Sequence, residues 1–515
     1  MSALIALVLL TSSIAANDAE RILAFFPTPS LTHQVVFRPL TQELAKRGHL
    51  VTVITPNPAF PRGEAPENMT EIDVRDVSLN KWRTLKKLYS NETDPKMTIK
   101  IPFLMLIDIV EMQLCSETVQ EALARCTYDL LFLEATVKPA LILSHLVQAP
   151  VILVSYFGSL NFNVQTMGSA WHPFLYPDSL SKRLHITADW EGCKELWNSY
   201  ELENTMQEVE VAENYLSIKM FGRNAPMMKE LKDNVHMLFL NTYPIWEGNR
   251  PVPPSVVYIG GINQSPEKKL PTDVQKYLDS SRYGVIYLSF GANVPTSLVP
   301  SERIQLMVKV FSELPYDVLW MWDKDKFPGC YRNITIFKSL PQSDLLRHPN
   351  VKAFITQGNL QSTEDAITGG VPLIGVPMFG DHWFNTEKYK QLEIGVQLDW
   401  DSLTEENLTK AINTVIHDKR YHENILKLGD MMRDQPQTAL ERAVWWTEYV
   451  LRHSDDAKHL RARSANMSWW QYLEMDVVVY PLKIASGMIF IFALLLCHIR
   501  TFCVVYKLYK EQRKR

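Results

Sequence analysis

An α/β protein of two doubly wound halves, followed by one membrane-crossing helix, is the architecture this sequence predicts. Three observations predict it. Apolar strands alternate with amphipathic helices in two separate series, a Pro- and Gly-rich stretch divides them, and a long apolar run stands near the end of the chain. The length agrees, because 515 residues exceed what one hydrophobic core normally organises. With 46% hydrophobic and 21% charged residues and a net charge of −4, the chain is neither low-complexity nor many-spanning. It also lacks the positive balance that a general nucleic-acid binder needs. Six cysteines, Cys115, Cys126, Cys193, Cys330, Cys497 and Cys503, include no Cys-x-x-Cys pair, which removes the usual zinc and thioredoxin readings.

The first element is ALIALVLL, residues 3–10, followed by small residues up to Ala16. This predicts a cleavable signal peptide over residues 1–16, although the basic leading region is missing. RILAFFPTP then reads as a strand, His33 to Gly48 as a helix with Phe37, Leu40 and Leu44 on one face, and LVTVIT as a second strand. That βαβ unit implies a parallel sheet, and YDLLFLEA and APVILVSYF continue the pattern through a first domain of residues 17–262. NRPVPPSVVYIGGI closes it, and residues 263–282 read as a linker.

The second series occupies residues 283–475. GVIYLSFG, DVLWMW, ITIFKSLPQ, VKAFIT and VPLIGVP read as strands, with helices from about Pro300, near Ser362 to Thr368, and from about Phe384. Two doubly wound halves leave a cleft at the carboxyl ends of their strands, where such sheets bind ligands. Beyond them, residues 484–506 are long and apolar enough to cross a bilayer, and the basic tail 507–515 marks the cytoplasmic side. Residues 500–515 carry six Lys or Arg against one Glu, so the rest of the chain is more acidic than the total suggests. Signal peptide and span together predict a single-pass type I protein with its body in the secretory lumen. Six N-x-S/T sequons, at Asn68, Asn91, Asn263, Asn333, Asn407 and Asn466, are compatible with that placement.

The chemistry-bearing segment is VKAFITQGNLQSTEDAITGGVPLIGVPMFGDHWFN, residues 351–385. A buried strand ends at Thr356, a Gly-containing turn follows, and Ser362 stands where it can cap the next helix, with Asp365 three residues on. A helix start of this kind offers free N–H groups and a positive dipole end to a diphosphate, or it is simply a capping pair.

With the preceding PQSDLLRHPN, this segment resembles the signature of the animal UDP-glycosyltransferase family, especially its insect members and the related insect-virus ecdysteroid glucosyltransferases. FPTPSLTHQVVFRPLTQELAKRGHLVTVIT resembles the family's N-terminal βαβ unit, and DQPQTALERAVWWTEYVLRH its C-terminal helix. The resemblance implies a GT-B fold, an acceptor-binding N-terminal half and a UDP-sugar-binding C-terminal half. It implies His33 as the general base that deprotonates an acceptor hydroxyl, and Glu134 as the acid that orients it.

On the donor side the resemblance carries over Gly291, Gln342, Gly358, Gln361, Ser362 and Asp381. Seven positions depart from the family pattern. Ala292 replaces a Ser, Met321 a basic residue, Ser339 the Trp that stacks on uracil, and Gln357 the vertebrate-type His. Asn359 replaces a Gly and is expected to crowd the backbone or to take a left-handed conformation. Asp365 replaces the Glu that holds the ribose, with Glu364 beside it, and His382 replaces a Gln next to Asp381, which bears on sugar choice.

The implied reaction is inverting transfer of a hexose, most simply glucose, from a UDP-sugar to a hydroxyl of a small lipophilic acceptor at the endoplasmic reticulum membrane, as in detoxification or hormone and pigment conjugation. Galactose and glucuronate remain open, as does association into homo- or hetero-oligomers. The alternative is a weak or inactive member that binds lipophiles or UDP-sugar, or partners an active homologue. The UDP-sugar is a co-substrate and no separate cofactor or metal is called for, since the acidic DKD of residues 323–325 reads as a solvated loop.

Overall fold

The computed structural model describes residues 19–89, 95–182, 184, 190–291, 299–324, 327–329, 331–453, 457–472 and 474–513. The expected signal peptide, the sequon at Asn91, Ala292, Cys330 and the last two residues of the tail lie outside them. Thirteen described strands form two parallel sheets. The first holds β1 (Arg21–Phe25), β2 (Leu50–Thr55), β3 (Met69–Asp73), β4 (Leu130–Glu134), β5 (Val151–Ser155), β6 (Val235–Leu240) and β7 (Val256–Tyr258), in the order β3-β2-β1-β4-β5-β6-β7. The second holds β8 (Val285–Ser289), β9 (Asp317–Met321), β10 (Ile334–Phe337), β11 (Val351–Thr356), β12 (Leu373–Gly375) and β13 (Gly395–Gln397), in the order β10-β9-β8-β11-β12-β13. Their central strands, LLFLE in β4 and VIYLS in β8, are buried at every residue. Unbroken apolar runs are what a parallel sheet covered on both faces requires.

The strand orders place the cleft. In the first sheet the winding reverses between β1 and β4, and in the second between β8 and β11. Such a switch point opens a crevice beyond the strand ends, because the connections leave in opposite directions. The register Phe25↔Leu133 brings the loop after β1 level with Glu134 at the end of β4. In the second sheet, Ser289↔Thr356 sets Gly291 beside Gln357 and Gly358.

The halves are interlocked through their cores. Phe157, Leu160 and Trp246 of the first half pack in one core cluster with Leu345, Phe384 and Tyr389 of the second. In the reverse direction, Ala443, Val444 and Val450 of the helix Ala439–Arg452 pack with Phe37, Leu40 and Leu44 against the first sheet. The stretch expected as a linker contains the helix Thr272–Ser280, whose Val274 and Leu278 are buried in the second half.

Three helix starts differ from the sequence expectation, and the first helix runs Leu31–Lys46 instead of beginning at His33. The helix expected near Ser362 runs Leu360–Gly369, and its cap is Asn359 rather than Ser362. The helix expected from Phe384 begins at His382. The final helix, Met475–Gln512, is 38 residues long with no buried residue and contains the expected span. At 1.5 Å per residue it extends about 57 Å, longer than the roughly 30 Å hydrocarbon core of a bilayer.

Before that helix, residues 457–468 strap the chain onto the first half. Arg461 Nη2 pairs with Asp233 at 3.0 Å, Ser464 Oγ donates to the Gly168 carbonyl at 2.8 Å, and Asn466 N–H donates to the Gln165 carbonyl at 3.1 Å. Several sequon asparagines are also structural, Asn333 above all, whose Nδ2 donates to the carbonyls of Phe311, Leu314 and Tyr316.

Candidate active site

At the first switch point the loop after β1 must turn sharply to start the helix Leu31–Lys46, and buried carboxamides fix its path. Gln34 Nε2 donates to the carbonyls of Phe26 and Thr28, and Thr55 Oγ1 donates to Gln34 Oε1. From the helix Pro95–Leu114, Gln113 Nε2 donates to the Pro27 carbonyl at 2.9 Å and to Ser78 Oγ at 2.8 Å. Backbone groups buried in a loop need such partners, and each bond removes a freedom the loop would otherwise have.

The loop so held presents His33, whose Nδ1 lies 2.7 Å from Glu134 Oε1. Glu134 is fully buried and gathers further donors: Thr28 Oγ1 at 2.8 Å, Thr136 Oγ1 at 3.2 Å and Thr28 N–H at 3.3 Å. A carboxylate surrounded by donors acts as acceptor only, so the proton of the His33–Glu134 bond sits on Nδ1. Nε2 is then the basic nitrogen of a ring whose side chain is 12% exposed. Tyr156, just after β5, stacks on this imidazole with ring centroids 3.3 Å apart. Burial, and then the charges of Asp381 and Glu134, push the Tyr156 phenol well above its usual range. Tyr156 therefore lies within electrostatic reach of acids from both halves.

At the second switch point β8 ends in a turn through Gly291 (φ 68°) and β11 in a turn through Gly358 (φ 91°). Both glycines are forced: a Cβ on Gly291 would stand 2.7 Å from Gln357 Nε2, and one on Gly358 would stand 2.5 Å from Thr386 Cγ2. Gln357 is fully buried and its Nε2 has no partner among the described residues. Asn359 does not take the left-handed conformation expected of it. Its backbone is extended (φ −65°, ψ 152°), and its Oδ1 accepts the Ser362 N–H at 2.7 Å. Gln361 and Ser362 lie in the first turn of the helix that follows.

Gln342 begins the helix Gln342–Leu346 and donates through Nε2 to Asp365 Oδ2 at 2.9 Å and to Ser362 Oγ at 3.2 Å. Asp365 also accepts from Gln264 at 3.3 Å, and burial raises its carboxyl above the usual range. Met321 closes β9, where its thioether faces Ser289 Oγ at 3.8 Å, and Ser339 is exposed in the loop after β10. Asp381 stands just before the helix His382–Gln391 without a side-chain cap bond, and burial pushes its carboxyl up to about 6. Asn385 holds it, donating through Nδ2 to Asp381 Oδ2 at 2.8 Å and to the Gly358 carbonyl at 2.9 Å. His382 is buried against Phe379, whose N–H it accepts at 3.4 Å, and burial drops its pKa to about 3. That imidazole is therefore neutral near pH 7.

Sequence reasoning missed Tyr156, Gln113, Gln264, Trp246 and Asn385. Trp246 Nε1 donates to Asn385 Oδ1 at 3.0 Å, so one buried hydrogen bond links the first half to the residue that holds Asp381. Little that is local marks these residues, since their partners lie 27 to 139 positions away, apart from Asp381, which stands four positions before Asn385. Two larger cavities lie elsewhere. One, of about 720 Å³, is lined by Trp171, Leu196, Trp197, Tyr200, Met467 and Tyr472, between the first half and the strap. The other, of about 650 Å³, adjoins it and includes Lys138 and Phe162.

Comparison with known proteins agrees with this geometry. The family described as "UDP-glucoronosyl and UDP-glucosyl transferase" matches residues 22–513. An ecdysteroid UDP-glucosyltransferase of Lymantria dispar multicapsid nuclear polyhedrosis virus is 36% identical over 482 residues, 92% of this chain and 95% of the relative. UDP-glucosyltransferase 2 of Dactylopius coccus is 30% identical over 509 residues, 95% of each chain. Among solved structures, a UDP-glucose:anthocyanidin 3-O-glucosyltransferase in complex with UDP superimposes with a TM-score of 0.55 at 16% identity, covering 85% of this chain and 99% of that one. The calicheamicin glycosyltransferase does so with a TM-score of 0.55 at 16% identity, covering 84% and 99%. The two facing parallel-sheet halves are thus a GT-B fold, and the chain belongs to the UDP-glycosyltransferase family.

Proposed function

We propose that this enzyme transfers glucose from UDP-glucose, with inversion, to a hydroxyl of a small lipophilic acceptor. The observation that carries the proposal is the His33–Glu134 pair at 2.7 Å, with Tyr156 stacked on the imidazole. In the proposed step the acceptor oxygen forms a bond to the anomeric carbon while the bond from that carbon to the diphosphate oxygen breaks. The acceptor proton passes to His33 Nε2, and the bonding pair leaves with UDP. Glu134 keeps the imidazole in the required tautomer and stabilises its charged form, as in other His–carboxylate pairs. The diphosphate rests at the start of the helix Leu360–Gly369, with Gln357 and Gly358 beside it and Gln342, Ser362 and Asp365 around the nucleoside. Asp381 receives sugar hydroxyls.

Glucose and a polycyclic lipophile are supported by the names of the viral relatives, which specify an ecdysteroid and a glucosyl donor. The final helix supports anchoring in a membrane, and the basic cluster of residues 507–515 supports an orientation with that tail in the cytosol and the body on the luminal side. The test is turnover of UDP-glucose with a phenol and sterol panel on membranes carrying the protein. His33→Ala should lower kcat by about 10²–10⁴-fold, and Glu134→Gln should lower kcat while leaving the KM for UDP-glucose near its parent value. Full activity in His33→Ala would refute the mechanism. A parent that folds and binds UDP without any single-turnover product would favour the non-catalytic alternative.

A further inference from the structure

The donor helix starts with one of its N–H groups already taken. Asn359 Oδ1 accepts the Ser362 N–H at 2.7 Å. A carboxamide held by its oxygen presents its amino group on the other side. That group, Nδ2, lies beside the β8 turn, where a Cβ on Gly291 would stand 3.6 Å from it and 2.7 Å from Gln357 Nε2. Gln357 is fully buried, and its amino group has no partner among the described residues. Two amino groups, from loop positions two residues apart, thus both lie against Gly291, where the close approach leaves no room for a side chain. An orphaned buried donor calls for an acceptor, and two converging donors beside a helix N-terminus suit an anion.

We propose that Asn359 is a diphosphate-binding residue acting as a carboxamide relay. Its oxygen takes the Ser362 N–H and with it the positive end of the helix, and its amino group, together with that of Gln357, donates to the diphosphate. Because the bond to Ser362 polarises the carboxamide, Asn359 is a stronger donor there than a free amide. The bond also fixes the side chain before the donor arrives, so little ordering remains to be done on binding. An Asn at this position thereby hands a backbone donor outward through its side chain instead of blocking it. The proposal rests on the reading of this site as a UDP-sugar site.

Ser and Asp cap helices about as well as Asn, so Asn359→Ser and Asn359→Asp retain the helix start and should melt near the parent. Neither presents an amino group. Titration calorimetry with UDP, and in parallel with uridine, separates a relay from a cap. Asn359→Ser should weaken UDP about tenfold, since a hydrogen bond to a charged oxygen is lost. Asn359→Asp, which sets a carboxylate against the diphosphate, should weaken UDP about a hundredfold or more. Uridine should bind alike to all three proteins. UDP affinity within twofold of the parent in both variants, at unchanged Tm, would leave Asn359 a helix cap only and overturn the relay. A parent that binds no UDP would overturn the donor reading along with it, whereas unaffected variants of a UDP-binding parent overturn the relay alone.

Discussion

Asp381 shows two opposed demands meeting on one side chain. Burial raises its carboxyl to about 6, while the Asn385 amide works the other way. The folded pKa lies above the unfolded value near 3.8. The contribution of this group to stability is therefore complete below about 3.8 and is lost as pH rises through about 6, where the buried carboxyl must ionise. Asp381→Asn removes that cost, so at pH 7.5 the variant should melt higher than the parent by a few degrees, roughly 2–4 °C per kcal/mol recovered. The gain should vanish at pH 4 in a melting series. Ionised Asp381 is also the better acceptor of sugar hydroxyls, so the KM for UDP-glucose should rise as pH falls through about 6 in the parent, and the variant should show a high KM without that inflection. His382 next door behaves differently, because with a pKa near 3 it stays neutral throughout this range and adds no second inflection.

The loops after β1 and β4 are as much a part of the site as His33 and Glu134. Gln113, on a helix 80 positions from His33, pins the Pro27 carbonyl, and replacing it with Leu leaves that buried oxygen without its donor. Gln113→Leu should cost about 1–3 kcal/mol in urea unfolding. It should also lower kcat about tenfold with the KM for UDP-glucose unchanged, because the donor loops lie in the other half. The strands that carry these loops were legible in the sequence because both faces of a parallel sheet are covered, which makes RILAF, LLFLE and VIYLS unbroken apolar runs. The helix start at Leu360 was displaced because Ser362 and Asn359 are both good caps, and only the backbone after Gly358 decides between them. His33 and Glu134 were legible through family resemblance, since neither a helix-start His nor a strand-end Glu is distinctive alone. Tyr156, Asn385 and Gln113 act through contacts that no local pattern encodes.

For the molecule as a whole, the strap of residues 457–468 sets where the final helix leaves the body. A chain ending at Tyr472 keeps Arg461, Ser464 and Asn466 on their partners, and should be released from membranes by mild washing with its kcat intact. A chain ending at Arg452 loses those bonds and one wall of the 720 Å³ cavity, and should melt several degrees lower by calorimetry. The two crossings between the halves have a further consequence. The chain leaves the first half after Tyr258 and returns in the helix that begins at Ala439, and Arg442 Nη1 on that helix donates to the Tyr258 carbonyl at 2.8 Å. The second half is thus an insert whose two ends nearly meet, and inserts with adjoining ends can be exchanged between hosts with little disturbance to either. Topologically, this half is a cassette: a related one that kept a partner for Trp246 could bring a different sugar to the same acceptor site.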